Sequence, residues 1–320
     1  LNARPISTIS FFATSRMFEE TIAHLVNTLP PNILGKERPI DIDIVFDSGM
    51  FNGSYLVGAM KYISELEKRN IVKIHRISGC SIGSFIALLY ILGKVDRAAE
   101  IHKQGVCHIR EHKDFNALDL WISLIDVDIP ENIHELMTDR VYLKYYDTTL
   151  KQKIVKYRYT SKEDVFETIR RSCFLPFVVN GEFMYKGCID GMNPYRFPID
   201  PSKKILYLDL FGLDKVKYVF TAKNETDNSH RVLSGLLDTH LFFLKGTSTS
   251  LCSYIDEWGT YKMVAHFVRD SFETIVIYLI HCILFLQRNS IVTVSDTFLV
   301  TALKKFLKAM FREWVDEYCV

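Results

Sequence analysis

Gly79-Cys80-Ser81-Ile82-Gly83 sets a serine between two glycines, the spacing at which a sharp turn lifts a hydroxyl clear of the backbone as a nucleophile. Before it, Ile71-Val72-Lys73-Ile74-His75-Arg76-Ile77 is rich in β-branched residues, though its alternation is imperfect. After it, Ser84 to Leu92 is an apolar run closed by Gly93, the pattern of a buried helix with a C-terminal stop. A strand, a tight turn and a helix would hold Ser81 in a sparsely allowed conformation with its Oγ outward. Gly79 and Gly83 would remove Cβ atoms where strand and helix pass closely. The helix N-terminus would present N–H groups and partial positive charge to an oxyanion. The chemistry this predicts is attack of a serine on a carbonyl.

A second loop lies upstream. Ile40 to Phe46 alternates, then becomes continuously apolar, and runs into Asp47-Ser48-Gly49-Met50-Phe51-Asn52-Gly53. Residues 54–68 follow at helical spacing. Small residues between strand and helix expose consecutive N–H groups able to bind an anion. A phosphate loop or a plain βα turn would look similar, but no G-x-x-x-x-G-K-[ST] is present, and Met50 stands where a dinucleotide fingerprint needs glycine. An oxyanion loop beside the serine turn fits better, since consecutive parallel strands usually neighbour one another. Downstream, Phe183 to Ile189 reads as a short strand ending in Asp190-Gly191, by itself an ordinary turn. Ser172-Cys173-Phe174-Leu175-Pro176-Phe177 precedes it as a helix end followed by proline.

These segments, in this order, resemble the patatin-like phospholipases, whose signature is a glycine-rich oxyanion loop, a G-x-S-x-G elbow and an Asp-Gly motif. Ser172 to Pro176 is similar to the family's approach to its aspartate, and Pro198 falls where relatives often carry proline. The resemblance covers roughly 40–200, and the divergence of the chain gives it the look of a giant DNA virus homologue. It implies Ser81 as nucleophile and Asp190 as base, with Ser48, Gly49 and Met50 lending oxyanion N–H groups and Gly53, Gly79, Gly83 and Gly191 as motif glycines. A carboxylate near its usual pKa is a weak base; Phe174, Phe177, Tyr185 and Ile189 could raise it by excluding water. The implied reaction passes through an acyl-enzyme and requires no metal or cofactor. Met50 replaces a usual glycine, strained if its φ is positive; Asn52 stands where many relatives carry arginine or lysine; Met192 replaces a small residue after Asp-Gly.

With 320 residues, 48% hydrophobic, the chain can fill a sizeable core, and a net charge of +1 gives no case for nucleic-acid binding. Seven scattered cysteines without a C-x-x-C pair argue against zinc and for a reducing, intracellular compartment. Cys80 is expected as a small core residue pointing away from Ser81. Residues 6–13 are too polar and broken for a secretory signal, although the chain opens on Leu1, so residues can be missing upstream. A helix over about 16–29 and a linker to residue 39 are expected before a catalytic domain over 40–225. Within that domain, helices over 95–138 could cover the site, another helix follows Ser161, and strands are expected over 204–210 and 217–220. A helical region, 226–320, completes the chain.

The run 274–286 is too short to span a bilayer and reads as a core helix. Over 298–315 an apolar stripe flanked by lysines could lie on a membrane or pack as a terminal helix. The expected architecture is a three-layer α/β/α patatin-like fold with a mainly parallel sheet and a helical C-terminal extension. The expected activity is phospholipase A-like hydrolysis of acyl lipids at a membrane surface, with peripheral association and no transmembrane span; the oligomeric state is not legible. One rival is an α/β-hydrolase whose histidine would be His230, His240, His266 or His281. Another is a catalytically weak lipid-binding protein.

Overall fold

Alternation giving way to continuous apolar residues suits a strand entering a sheet buried on both faces. Ile40–Phe46 forms such a strand, β1, at the centre of the sheet. The computed structural model describes residues 18–35, 37–126, 129–223, 225, 227–288, 309 and 312–319. Before β1 come a helix over 18–27 (α1) and a single turn, α2 (Pro31–Leu34). After it, α3 (Gly53–Lys68) returns the chain to β2 (Val72–Gly79). Next, α4 (Ile82–Ile91), α5 (Ala98–His112), α6 (Leu118–Asp126) and α7 (Ile133–Met137) lead to β3 (Val141–Asp147). β4 (Gln152–Lys156), α8 (Lys162–Ser172), β5 (Cys188–Asp190) and β6 (Lys204–Leu208) follow. The chain continues through α9 (Ser229–Lys245), β7 (Cys252–Tyr254) and α10 (Thr260–Arg288).

The strand order is β4-β3-β2-β1-β6-β7, with β5 also on β3. The four middle strands are parallel, whereas β4, β5 and β7 pair antiparallel. On one face Ile42, Ile44, Phe46, Leu206 and Leu208 share a core with α3, α4 and α9. On the other, Val45, Ile205 and Tyr207 pack with Phe197 and Trp258, and Tyr146 and Ile189 pack with Ile277 and Ile280 of α10. The result is a three-layer α/β/α architecture around a mostly parallel sheet.

Several local expectations are corrected. Lys217 to Phe220 is not a strand: Val216–Tyr218 is a 3-10 turn. The carbonyls of Tyr218 and Thr221 accept from Arg231, and that of Val219 from the Phe51 N–H, so they are unavailable to a ladder. Strands β3, β4 and β7 had no clear sequence signal. The 274–286 run is not a core helix but part of α10, buried on one side only: Ile277 and Ile280 are 8% and 3% exposed, Ile275 and Leu279 56% and 57%. Most of the 298–315 stripe lies outside the described residues; Trp314 and Val315 at its end pack against Phe220 and the Phe51–Phe115 cluster. No helix among the described residues is long and apolar enough to cross a membrane.

Strand pairing brings two distant segments together. β4 occupies one edge of β3, so β2 and β5 must share the other. Gly79 pairs with Leu143 and Asp190 with Tyr145, two residues or roughly 7 Å apart along β3. The β2–α4 turn therefore faces the end of β5. That turn is tight: a Cβ on Gly83 would stand 2.7 Å from the Asp47 carbonyl oxygen and 2.9 Å from that of Phe46. Since both obstacles are backbone, Gly83→Ala should cost about 2–3 kcal/mol of stability in urea unfolding; a loss below measurement error would show that the helix can retreat from β1.

Candidate active site

Ser81 holds φ 53° and ψ −128° at the start of α4, a conformation that costs an L-residue about 1–2 kcal/mol. Local hydrogen bonds stabilise it. The Ser81 N–H donates to the Ser172 carbonyl (3.1 Å), and the Cys173 thiol donates to the Ser81 carbonyl (3.1 Å). Ser172 Oγ in turn bonds Ser84 Oγ at 2.8 Å and donates to the Lys144 carbonyl at 2.8 Å. The segment from Ser172 to Pro176 is thus a strap across the elbow. The N–H groups of Ser81, Gly83 and Ser84 are all engaged, so the start of α4 is less open to an anion than the sequence suggested.

Asp190 sits at the end of β5, 1% exposed. Its Oδ1 accepts the Met192 N–H (2.7 Å) and the Cys80 thiol (3.3 Å), while Oδ2 is buried without a hydrogen-bond partner among the described residues. The Ser81 hydroxyl is close enough to stabilise the carboxylate, although it makes no well-formed hydrogen bond to it. Burial outweighs these donors and raises the Asp190 pKa to about 6, helped by the charge of Glu273. Of the expected apolar wall, Phe174 and Ile189 are buried and Tyr185 packs on Phe174 at 6.0 Å. Phe177, 40% exposed at φ 65°, turns outward and is no part of it. Gly191 lets this loop lie against β3, since a Cβ would meet the Lys144 carbonyl oxygen at 2.8 Å.

The loop expected to supply oxyanion donors differs from that expectation in one of them. The Ser48 N–H is taken by Asp47 Oδ1 at 2.9 Å, leaving the N–H groups of Gly49 and Met50 without partners among the described residues. Ser48 contributes through its hydroxyl instead, which donates to the Met192 carbonyl and ties this loop to the Asp-Gly loop. Met50 has φ 38°, and both it and Gly53, at the start of α3, line the cavity beside Ser81. The cation missing at Asn52 comes from α9: Arg231, fully buried, donates to Asn52 Oδ1 at 2.8 Å. Asp47, also fully buried, is bracketed by Arg269 of α10 at 2.9 and 2.6 Å. Sequence reasoning missed Asp47, Arg231, Arg269 and the Cys80 thiol; the one available signal was charge at 269, 270 and 273 inside an otherwise apolar helix.

Ser81 opens on a cavity of about 260 Å³ walled by Met50, Phe85, Ile101, Phe115, Trp121 and Phe174. Its histidine, His102, is held neutral by burial, with its pKa lowered to about 4. No group of three or more His, Cys, Asp or Glu among the described residues is arranged to hold a metal. A strained serine, a desolvated carboxylate, two free N–H groups and an apolar slot can accept an acyl chain with its carbonyl at the serine.

Residues 44–106, which hold the glycine loop and the elbow, match the family model for patatin-like phospholipases. Over that stretch the chain is similar to patatin-like phospholipases. Asp190 lies beyond the matched stretch. The chain is also similar to an omega-hydroxyceramide transacylase of Homo sapiens, 25% identical over 171 residues. That alignment covers 49% of this chain and 32% of the relative. The Mus musculus protein of the same description is 23% identical over 49% of this chain and 28% of its own length. A 1-acylglycerol-3-phosphate O-acyltransferase of Mus musculus is 22% identical over 50% and 41%. The chain thus spans well under half the length of these relatives.

A buried carboxylate with a raised pKa weakens the fold. Below about 3.8 Asp190 is protonated both folded and unfolded; between there and about 6 the unfolded chain ionises first, so stability falls with rising pH. Asp190→Asn should therefore be more stable than wild type at pH 8, by about 2–3 kcal/mol, the difference shrinking below pH 6. Urea unfolding at both pH values checks this, and a variant less stable at pH 8 contradicts the assigned burial cost.

Proposed function

We propose that this protein is a lipid acyl hydrolase that cleaves carboxylic esters through Ser81 and Asp190. Asp190 Oδ2 takes the Ser81 proton as Oγ attacks the ester carbonyl. The Gly49 and Met50 N–H groups stabilise the resulting oxyanion, each donor being worth about 10²–10³ in rate. Collapse expels the alcohol, with Asp190 returning the proton, and leaves an acyl-serine with its chain in the apolar cavity. Water, activated by the same carboxylate, releases the fatty acid. Each step uses only side-chain and backbone groups of the chain. The substrate proposed is a phospholipid or related acyl lipid at a membrane surface.

The observation that carries this is the buried, unpartnered Asp190 oxygen beside a serine on a strained elbow. A histidine triad has less support. His240 is bonded to the Tyr62 hydroxyl at 2.9 Å and His281 to that of Tyr146 at 2.7 Å. His266 stacks on Trp258 at 4.1 Å, and His230 faces Glu225 at 3.6 Å; none of the four lines the cavity. The descriptions of the relatives support a second acceptor: the same acyl-serine could pass its chain to a lipid hydroxyl instead of water.

Hydrolysis of p-nitrophenyl esters by wild type, Ser81→Ala and Asp190→Asn tests the proposal. Each variant should lose at least about 10³-fold in kcat/KM, while single replacements of the four histidines keep most activity. For wild type, kcat/KM should rise with pH to a plateau above about 6, where Asp190 is ionised. Equal rates for wild type and both variants would favour a lipid binder. Mass analysis of products formed with a long-chain alcohol present separates transfer from hydrolysis.

A further inference from the structure

α10 reaches both halves of the site from the opposite face of the sheet, outside the span of the family resemblance. Two of its side chains, one turn apart, each hold one catalytic loop. Arg269 makes a two-point contact with Asp47, whose oxygens also accept the N–H groups of Ser48 (2.9 Å) and Leu210 (3.1 Å). Asp47 directly precedes the oxyanion loop, so the guanidinium fixes where the Gly49 and Met50 donors start. Glu273, 1% exposed, accepts Asn193 Nδ2 at 2.9 Å and the Lys144 ammonium at 3.0 Å, with Lys153 at 2.8 Å. Asn193 follows the Asp-Gly turn, and the Lys144 carbonyl abuts Gly191 and anchors Ser172. Between them Asp270 pairs with Arg196, further along the same loop.

We propose that α10 sets the separation between the oxyanion donors and the base, with Arg269 and Glu273 as positioning residues for acyl transfer. Helical residues four apart lie on one face at a fixed spacing, so a helix docked through both transmits that spacing to the loops. Among the described residues the one direct tie between the loops is the hydrogen bond from Ser48 to the Met192 carbonyl, so their spacing otherwise depends on what each is docked against. The proposal rests on the Ser81–Asp190 hydrolase assignment.

The test compares wild type, Ser81→Ala, Arg269→Ala, Arg269→Lys and Glu273→Gln on a p-nitrophenyl ester, with circular dichroism to establish the folded fraction. Arg269→Ala should lower kcat about 10²-fold, the cost of misplacing an oxyanion donor, with KM within twofold. Millimolar guanidinium should recover at least about tenfold of that loss, whereas equal sodium chloride should not. Arg269→Lys, retaining the charge but not the fork, should fall between the two, and Glu273→Gln should lose about tenfold in kcat at steady KM. If Arg269→Ala does not fold, Arg269→Lys and Glu273→Gln decide the matter. Variants with kcat at the wild-type level, or losses that track only the folded fraction and resist guanidinium, overturn the positioning role while leaving the hydrolase assignment intact. Wild type no faster than Ser81→Ala overturns both.

Discussion

The arrangement of this molecule depends on charge taken out of water. Asp47 and Arg269 meet at the C-terminal end of β1, and Glu273 meets Lys144 and Asn193 beside β3. Desolvating such groups costs several kcal/mol each, which their attraction offsets only when geometry and hydrogen bonds are complete. Here they are nearly complete, so the contacts are better understood as fixing one docking position for α10 than as adding net stability. A helix held by apolar contact alone could slide by a turn; one whose carboxylate and guanidinium must find specific partners cannot.

Part of the backbone strain falls at the site. Met50, Ser81 and Met192 all have positive φ, an expensive choice for side chains with a Cβ. Each belongs to one of the three motif segments, and Met50 and Ser81 line the cavity. The Ser81 conformation accompanies its place on the cavity wall, and that of Met192 accompanies a turn closed by the Asp190 side chain. Local backbone preference would not maintain any of them. The sheet on one side and the strap from Ser172 on the other make the alternatives worse.

Much of the central fold was legible because its signals are local. The alternation of 40–46, the helical spacing of 54–68 and the apolar run after Gly83 each mark an element within one window, and all three formed. β3 and β7 lacked such a signal: Lys144 is polar but buried by pairing with Glu273, more than a hundred residues later, and Cys252–Tyr254 is too short to show alternation. Lys217 to Phe220 misled in the other direction, because a strand-like composition was overruled by carbonyl acceptors turned toward Arg231 and Phe51. The outward apolar face of α10 escaped for a related reason: a window of hydrophobic residues does not say which side of a helix will be covered.

By itself the sequence determined the chemical types available: a serine at a glycine-flanked turn, a loop of small residues after a strand, and a carboxylate on a turn. It also determined that these would sit at the ends of strands, since period and punctuation are written into neighbouring residues. Only the tertiary structure decided that Asp190 is buried with one oxygen unpartnered among the described residues, that the Ser48 N–H is already taken, and that Arg231 and Arg269 stand behind the loop that follows β1. Those outcomes depend on desolvation and on contacts between residues far apart in the chain. Both arise only when strands pair and helices dock, so no local pattern records them.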